Sequence, residues 1–282
     1  MEKFLLSALR LAETLPTIKP MKLKQAFKPL LLLSLVILFS SCQERAKTVS
    51  SFSLNKADGI YKQKEKPFTG MVLDTTKSGR VLLTFKCVEG KLDGEYLEYH
   101  RENGNLKQRT TYQNGKKTGP YIELTKDGDT IISGNYLDYK KNGEWKEHYS
   151  NGNIKRKGTY SKGLQTGEWK YFFYNGKIQA EGTYQNGNES NHGTTGIPLS
   201  GRTGLWKFYS KETGKLEQES EFENGKISGQ LIGYKANGQI DAKINYKNDE
   251  LHGVLEFFDE SGKLMTKQTY ENGKLIKEHQ IN

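Results

Sequence analysis

Gly143-Glu144-Trp145 through Asn151-Gly152, and Gly167-Glu168-Trp169-Lys170-Tyr171-Phe172-Phe173-Tyr174-Asn175-Gly176, are the two stretches that decide the fold. Each opens on a Gly, places a Trp two residues later and closes on Asn-Gly nine residues after the first Gly. The same spacing recurs along the chain. Gly70 precedes Val72, Gly94 precedes Tyr96, Gly119 precedes Tyr121, Gly204 precedes Trp206, Gly229 precedes Leu231 and Gly253 precedes Leu255. The eight anchor glycines stand 24, 25, 24, 24, 37, 25 and 24 residues apart. A fixed period in this range marks a repeat architecture. The position two after the anchor is apolar or aromatic in all eight units, so this column is predicted to face inward.

Further columns complete each unit. A second Gly falls nine or ten residues after the anchor, four times as Asn-Gly. That dipeptide suits a type I′ hairpin turn, which needs positive φ at both central residues. Two residues on stands an aliphatic: Val81, Leu106, Ile154, Ile178, Leu216, Ile240 or Leu264, with Thr130 breaking the series. A Tyr or Phe column follows at Tyr112, Tyr136, Tyr160, Tyr184, Phe222, Tyr246 and Tyr270, where Cys87 takes the place in the first unit. More turn signals come at Asn114-Gly115, Asn186-Gly187, Asn224-Gly225 and Asn272-Gly273. Each unit reads as strand, turn, strand, turn. The predicted fold is all-β: an elongated single-layer antiparallel sheet of about eight 24-residue hairpins. One hairpin is marginal alone, and stacking lets neighbours share an aromatic seam. Composition agrees. Only 34% of the 282 residues are hydrophobic, too few for a large two-sided core, while 11% aromatics argue against disorder and 30 Gly beside 16 Tyr suggest strands and tight turns.

These units resemble the MORN-repeat variant, a bacterial form with a Gly-x-Trp-x-x-Tyr strand followed by Asn-Gly-Lys turns. The resemblance spans about residues 68–276. It implies the hairpin fold and says little about activity. It implies two roles: an exported scaffold, or the antitoxin of a toxin–antitoxin pair, the YwqK-type label carried by many such proteins.

The N-terminus decides between them. Lys22, Lys24 and Lys28 precede an apolar run from Leu30 to Phe39, broken only by Ser34 and followed by Ser40-Ser41-Cys42. That is the n-region, h-region and small-residue site of a secretory signal. The run is too short to cross a bilayer, which takes about 20 residues. Phe39-Ser40-Ser41-Cys42 is similar to the lipobox of bacterial lipoproteins, with Phe39 where the family has Leu. The resemblance implies an acylated Cys42 as the mature N-terminus, and Gln43 favours the outer membrane. The expected organisation is a signal peptide over 1–41, with Met21 an alternative start, a lipidated tether over 42–66 and the repeat array over 67–282. A cytoplasmic antitoxin does not fit an exported chain, so the scaffold reading leads.

Charge and chemistry narrow the partners. Residues 1–41 carry net +4 of the chain's +10, leaving +6 spread over the remainder without a clustered basic patch. No nucleic-acid partner is expected. The five His form no zinc-binding spacing, and Cys87 sits in an inward column without a base beside it. Glu95, Glu144 and Glu168 align by repetition, as do Glu98, Glu123 and Glu147, and the interleaved Lys146, Lys170 and Lys207 make them a solvated charge ladder. No catalytic residue, metal or cofactor is expected, and the protein is read as a non-enzymatic monomer. The repeat core is assigned to Tyr96, Tyr121, Trp145, Trp169 and Trp206.

One interval departs from the period. Gly167 to Gly204 is 37 residues, and the surplus lies near 187–203. Long loops on rigid scaffolds often carry function. The candidate binding residues are Ile197, Leu199 and Arg202 in the insertion, with Tyr171, Phe173 and Tyr174 expected to be exposed in the unit before it. Trp206 is expected to lose packing on the side the insertion interrupts. The expected ligand is an envelope protein or a glycan.

Overall fold

The structure, a computed structural model, describes residues 47–281. The expected signal peptide and Cys42 lie outside the described residues. Eight hairpins follow one another, from Gly70–Thr75 joined to Val81–Val88 through to Glu250–Phe258 joined to Leu264–Glu271. Each strand of these hairpins pairs antiparallel with the hairpin strand that follows it, and Lys274–Glu278 closes the series. The result is one long open sheet, as the period predicts.

Residues in the expected tether are part of the fold. Thr48–Val49 pairs parallel with Gly70–Thr75, and Asn55–Ala57, Ile60–Gln63 and Lys66–Pro67 form a small sheet of their own. The Asp74 carboxylate ties this segment down. It accepts from Ser50 Oγ at 2.7 Å, from the Ser51 N–H at 2.8 Å and from Ser51 Oγ. Leu54, Tyr61 and Phe68 pack with Val72, Phe85 and the buried Cys87. A repeat array needs a cap, and an uncovered first strand would offer unpaired backbone groups.

The two turns of a unit differ, and this corrects the assignment made from Asn-Gly. At the second Gly, positive φ is confined to the glycine (Gly152 at 84°, Gly176 at 84°), and Gly176 N–H donates to Phe173 O at 2.9 Å. These are type I turns with a Gly bulge. Type I′ turns join one unit to the next: Asn114 at 49° with Gly115 at 82°, Lys162 at 51° with Gly163 at 89°, Asn224 at 52° with Gly225 at 86°. The second turn residue then donates back one unit, as Gly163 N–H does to Lys141 O at 2.8 Å, stitching neighbours together. Asn186-Gly187 is no turn. It ends the strand Ile178–Gly187, and the insertion starts where the tight turn should be.

Pairing register puts the aromatic column on one face with a partner column the sequence reading missed. Trp145 stands opposite Gly158, Trp169 opposite Gly182 and Trp206 opposite Ser220. Each Trp ring also lies flat over the glycine of the preceding strand. A Cβ at Gly134, Gly158 or Gly182 would fall 1.9, 2.2 or 2.3 Å from the ring of Trp145, Trp169 or Trp206. Edge-to-face tyrosines fill the gaps, Tyr160 at 5.0 Å from Trp169 and Tyr184 at 4.9 Å from Trp206. Trp206 is fully buried, so the insertion does not loosen its packing as expected. The opposite face is not simply wet. Tyr99, Phe172, Tyr209, Tyr234 and Phe258 pair in register with Leu106, Ile178, Leu216, Ile240 and Leu264, all half-buried.

Candidate functional site

The inserted residues fold back across the aromatic face. Their anchor is Arg202, which the sequence cast as an exposed contact and which is in fact only 3% exposed. Its guanidinium lies over the Trp206 ring at 4.5 Å and between Phe222 and Phe208 at 5.2 and 5.4 Å. Nε donates to Pro198 O at 2.9 Å and Nη2 to Ile197 O at 3.1 Å. Burial lowers its pKa, but an Arg stays charged, and two carbonyls and three rings replace its water. Tyr184 Oη donates to the same Pro198 carbonyl at 2.6 Å. Ile197 is buried at 1%, also against expectation: its side chain joins the core with Trp206.

The other end of the insertion is tied by charge. Glu189 accepts from Lys141 Nζ at 3.0 Å, from Arg156 Nη1 at 2.5 Å and from Tyr160 Oη at 2.7 Å. Arg156 also holds Glu147. Burial would raise the Glu189 pKa, but the Tyr160 hydrogen bond and the Arg156 and Lys141 charges outweigh it and bring it to about 2. Glu147 is only 14% exposed and so is no part of a solvated ladder, whereas its repeat Glu98 keeps about a third of its side chain in solvent. Glu98, Glu123 and Glu147 stand on the aromatic face, where Glu98 takes Lys107 at 2.6 Å and Glu123 accepts from Tyr121 Oη at 2.9 Å. On the other face Lys170 and Lys207 do pair across strands, but with Glu181 at 2.7 Å and Glu219 at 3.5 Å rather than with Glu144 or Glu168.

Tyr171 is buried at 5% and bonds Gln165 and Tyr184 through its hydroxyl, so it is no binding surface. Tyr174 is exposed at 52%, while Phe173 and Leu199 are half-buried. Phe173, Leu199 and Arg202 meet in the wall of one cavity of about 650 Å³. Its floor is Phe208, Phe222 and Ile227, and Glu217, Gln218 and Asp249 also line it. A second cavity of about 380 Å³ opens on the other flank of the insertion, between Tyr149, Arg156, His192 and Pro198. On the charged face the grooves merely repeat with the units, as around Glu144, Lys157 and Lys170.

The position two before the anchor Gly was not read as a column in the sequence, and in three of the eight units it sets a cation over the aromatic seam. Lys117 sits 4.7 Å over Tyr121 and 4.3 Å over Tyr136, Lys141 sits 5.0 Å over Trp145 and 4.7 Å over Tyr160, and Arg202 repeats the arrangement. Desolvation lowers the Lys117 pKa. The only available signal was a basic residue recurring at one phase of the repeat. Cys87 is buried as expected, and burial pushes its thiol up to about 11. Among the described residues, no cluster of three His, Cys, Asp or Glu is placed to hold a metal.

The family model for the MORN repeat variant matches residues 92–114, 141–162, 165–186, 227–248 and 251–272. Five units match the MORN repeat variant. The second match ends at Lys162 and the third begins at Gln165, either side of Gly163 in the type I′ turn, so these boundaries follow the observed hairpins. No curated protein matches the chain. Solved structures similar to it include those titled "Crystal Structure of TcdB2-TccC3-Cdc42" and "Crystal Structure of TcdB2-TccC3-TEV", each at 12% identity over 74% of this chain, with TM-scores of 0.16 and 0.15. The chain spans 13% of the length of either, and likenesses this slight carry no argument.

Proposed function

We propose that this MORN-type array is a non-enzymatic scaffold, anchored by lipid at Cys42 in the outer membrane, that engages an envelope protein or glycan beside its insertion. The observation that carries the reading is the insertion itself. A regular array offers the same shallow surface at every step. Here one tight turn is replaced by a segment pinned at both ends, through Glu189 and Arg202, and a cavity of about 650 Å³ stands beside it. Such a built, largely apolar concavity is the default binding site of a scaffold. The apolar run Leu30 to Phe39 before Cys42 supports export and acylation. Several acyl chains would hold the chain on a membrane, where one holds only marginally.

The test compares envelope captures by the protein and by Thr195→Trp. Thr195 is exposed and lines both cavities, so an indole there would obstruct their mouths without entering the core. Partners retained at equal strength by a folded Thr195→Trp protein would move the site away from the insertion.

A further inference from the structure

We propose that the cavity walled by Leu199 and floored by Phe208, Phe222 and Ile227 is a binding site for a neutral saccharide. The proposal rests on the reading that the insertion marks the ligand site, and it names the ligand's chemistry.

The cavity is preformed. Its floor is strand residues of the sheet, and its wall is fixed by Arg202 and Tyr184 on the Pro198 carbonyl and by Leu199 N–H on Asn191 O at 2.9 Å. A ligand meeting fixed walls loses less affinity to ordering the protein. Its volume of about 650 Å³ falls within the roughly 300–1,000 Å³ of small-molecule sites.

The lining is divided in its chemistry. Phe208, Phe222, Leu199 and Ile227 make an apolar floor suited to the C–H face of a sugar ring. The polar lining groups the acceptors Glu217, Asp249 and the Gln218 oxygen with the Thr194 and Thr195 hydroxyls, which both donate and accept. Among the described residues, Glu217 and Asp249 have no ion-pair partner within 4.0 Å. Asp249 Oδ1 takes the Ile227 N–H at 2.7 Å, which leaves Oδ2. Gln218 gives one Nε2–H to Ser220 Oγ at 2.7 Å, which leaves its oxygen and its second N–H. Acceptors grouped over an apolar floor call for a ligand with many O–H donors and one flat apolar face.

Charge excludes the alternatives. The single cation of the lining is Arg202, and its guanidinium is committed to two carbonyls and three rings. An anionic ligand would meet two carboxylates, against one guanidinium whose Nε and Nη2 are already taken by backbone carbonyls. A small cation would satisfy the carboxylates but leave the broad apolar floor wet.

The test titrates the full chain with cellotriose, maltotriose and chitotriose, and with trigalacturonate and spermidine as charged controls, by calorimetry. At least one neutral trisaccharide should bind with Kd of about 1 mM or tighter. Glu217→Gln with Asp249→Asn should weaken it at least about tenfold. The Asp249→Asn change keeps an acceptor for the Ile227 N–H, and an asparagine tolerates the φ of 71° found there, so the melting temperature should hold. The proposal is overturned if no neutral trisaccharide binds up to about 10 mM, if binding survives the double substitution, or if either charged control binds as tightly. If saccharides fail while Thr195→Trp still abolishes envelope capture, the partner at the insertion is a protein and the docking reading survives without this one.

Discussion

Gly182→Ala adds one methyl group to a strand and should be among the most damaging substitutions of its size in this sheet. The new Cβ would fall 2.3 Å from Cδ2 of Trp206 and 2.4 Å from Cε2. The ring has nowhere to move. It is fully buried, with Tyr184 at 4.9 Å, Phe222 at 6.3 Å and the Arg202 guanidinium at 4.5 Å. Overpacking of a well-filled core costs roughly 1–3 kcal/mol, and this contact belongs at the upper end. Against it stands the gain of about 0.5–1 kcal/mol from replacing Gly within a strand. The net loss is about 2 kcal/mol, a fall in melting temperature of roughly 4–8 °C for a chain of this size. Gly233→Ala is the control. It sits in the strand Lys226–Tyr234, and its Cβ would meet only Ala242 atoms at 3.9 Å. There the strand gain stands alone, and stability should rise by about 0.5–1 kcal/mol. Thermal melts followed by Trp fluorescence read both, and trimming Trp206 to Leu should restore part of what Gly182→Ala loses. If Gly182→Ala stabilises the protein as Gly233→Ala does, the ring does not lie over that strand and the pairing of Trp with Gly is wrong.

Trp169→Ala should cost about 3–5 kcal/mol in a urea melt, as expected for a fully buried aromatic; a loss below about 1 kcal/mol would mean that the column faces solvent. Glu189 has a folded-state pKa of about 2, below its ordinary value of 4.5, so its contribution is complete above pH 4.5 and is lost as pH falls through 2. Glu189→Gln should therefore lower the melting temperature at pH 7 and flatten its decline between pH 4.5 and 2, and an unchanged profile would count against the tie. The Cys87 thiol, raised to about 11, should resist iodoacetamide at pH 8 in the folded protein and react once urea unfolds it; rapid labelling of the native chain would contradict its burial. Cys42→Ala should abolish incorporation of labelled fatty acid in the host, and label that persists would remove the lipid anchor from the proposed function.

Period alone was enough to establish that this chain is a sheet of eight hairpins. Gly at one phase, an aromatic two residues later and Asn-Gly at the turns are local requirements of backbone and pleat, and every unit states them again. The inward column from Val72 to Leu255 was legible for the same reason: side chains alternate faces along a strand, so one anchor fixes the parity of the rest. What a single strand cannot state is which residue of its neighbour lies opposite. Gly134, Gly158 and Gly182 carry no mark of their role in the local sequence; only pairing places them under Trp145, Trp169 and Trp206. The assignment of turn type failed for a related reason, because Asn-Gly serves both a type I′ turn and a type I turn with a Gly bulge, and the length of the loop decides between them. The insertion was visible as a break in period, yet its fate was not. Ile197 and Arg202 look like loop residues in the sequence. They are buried because the tertiary fold sets them beside the Trp206 ring and two backbone carbonyls that desolvate and satisfy them, contacts that depend on how the chain returns on itself and leave no trace in local spacing.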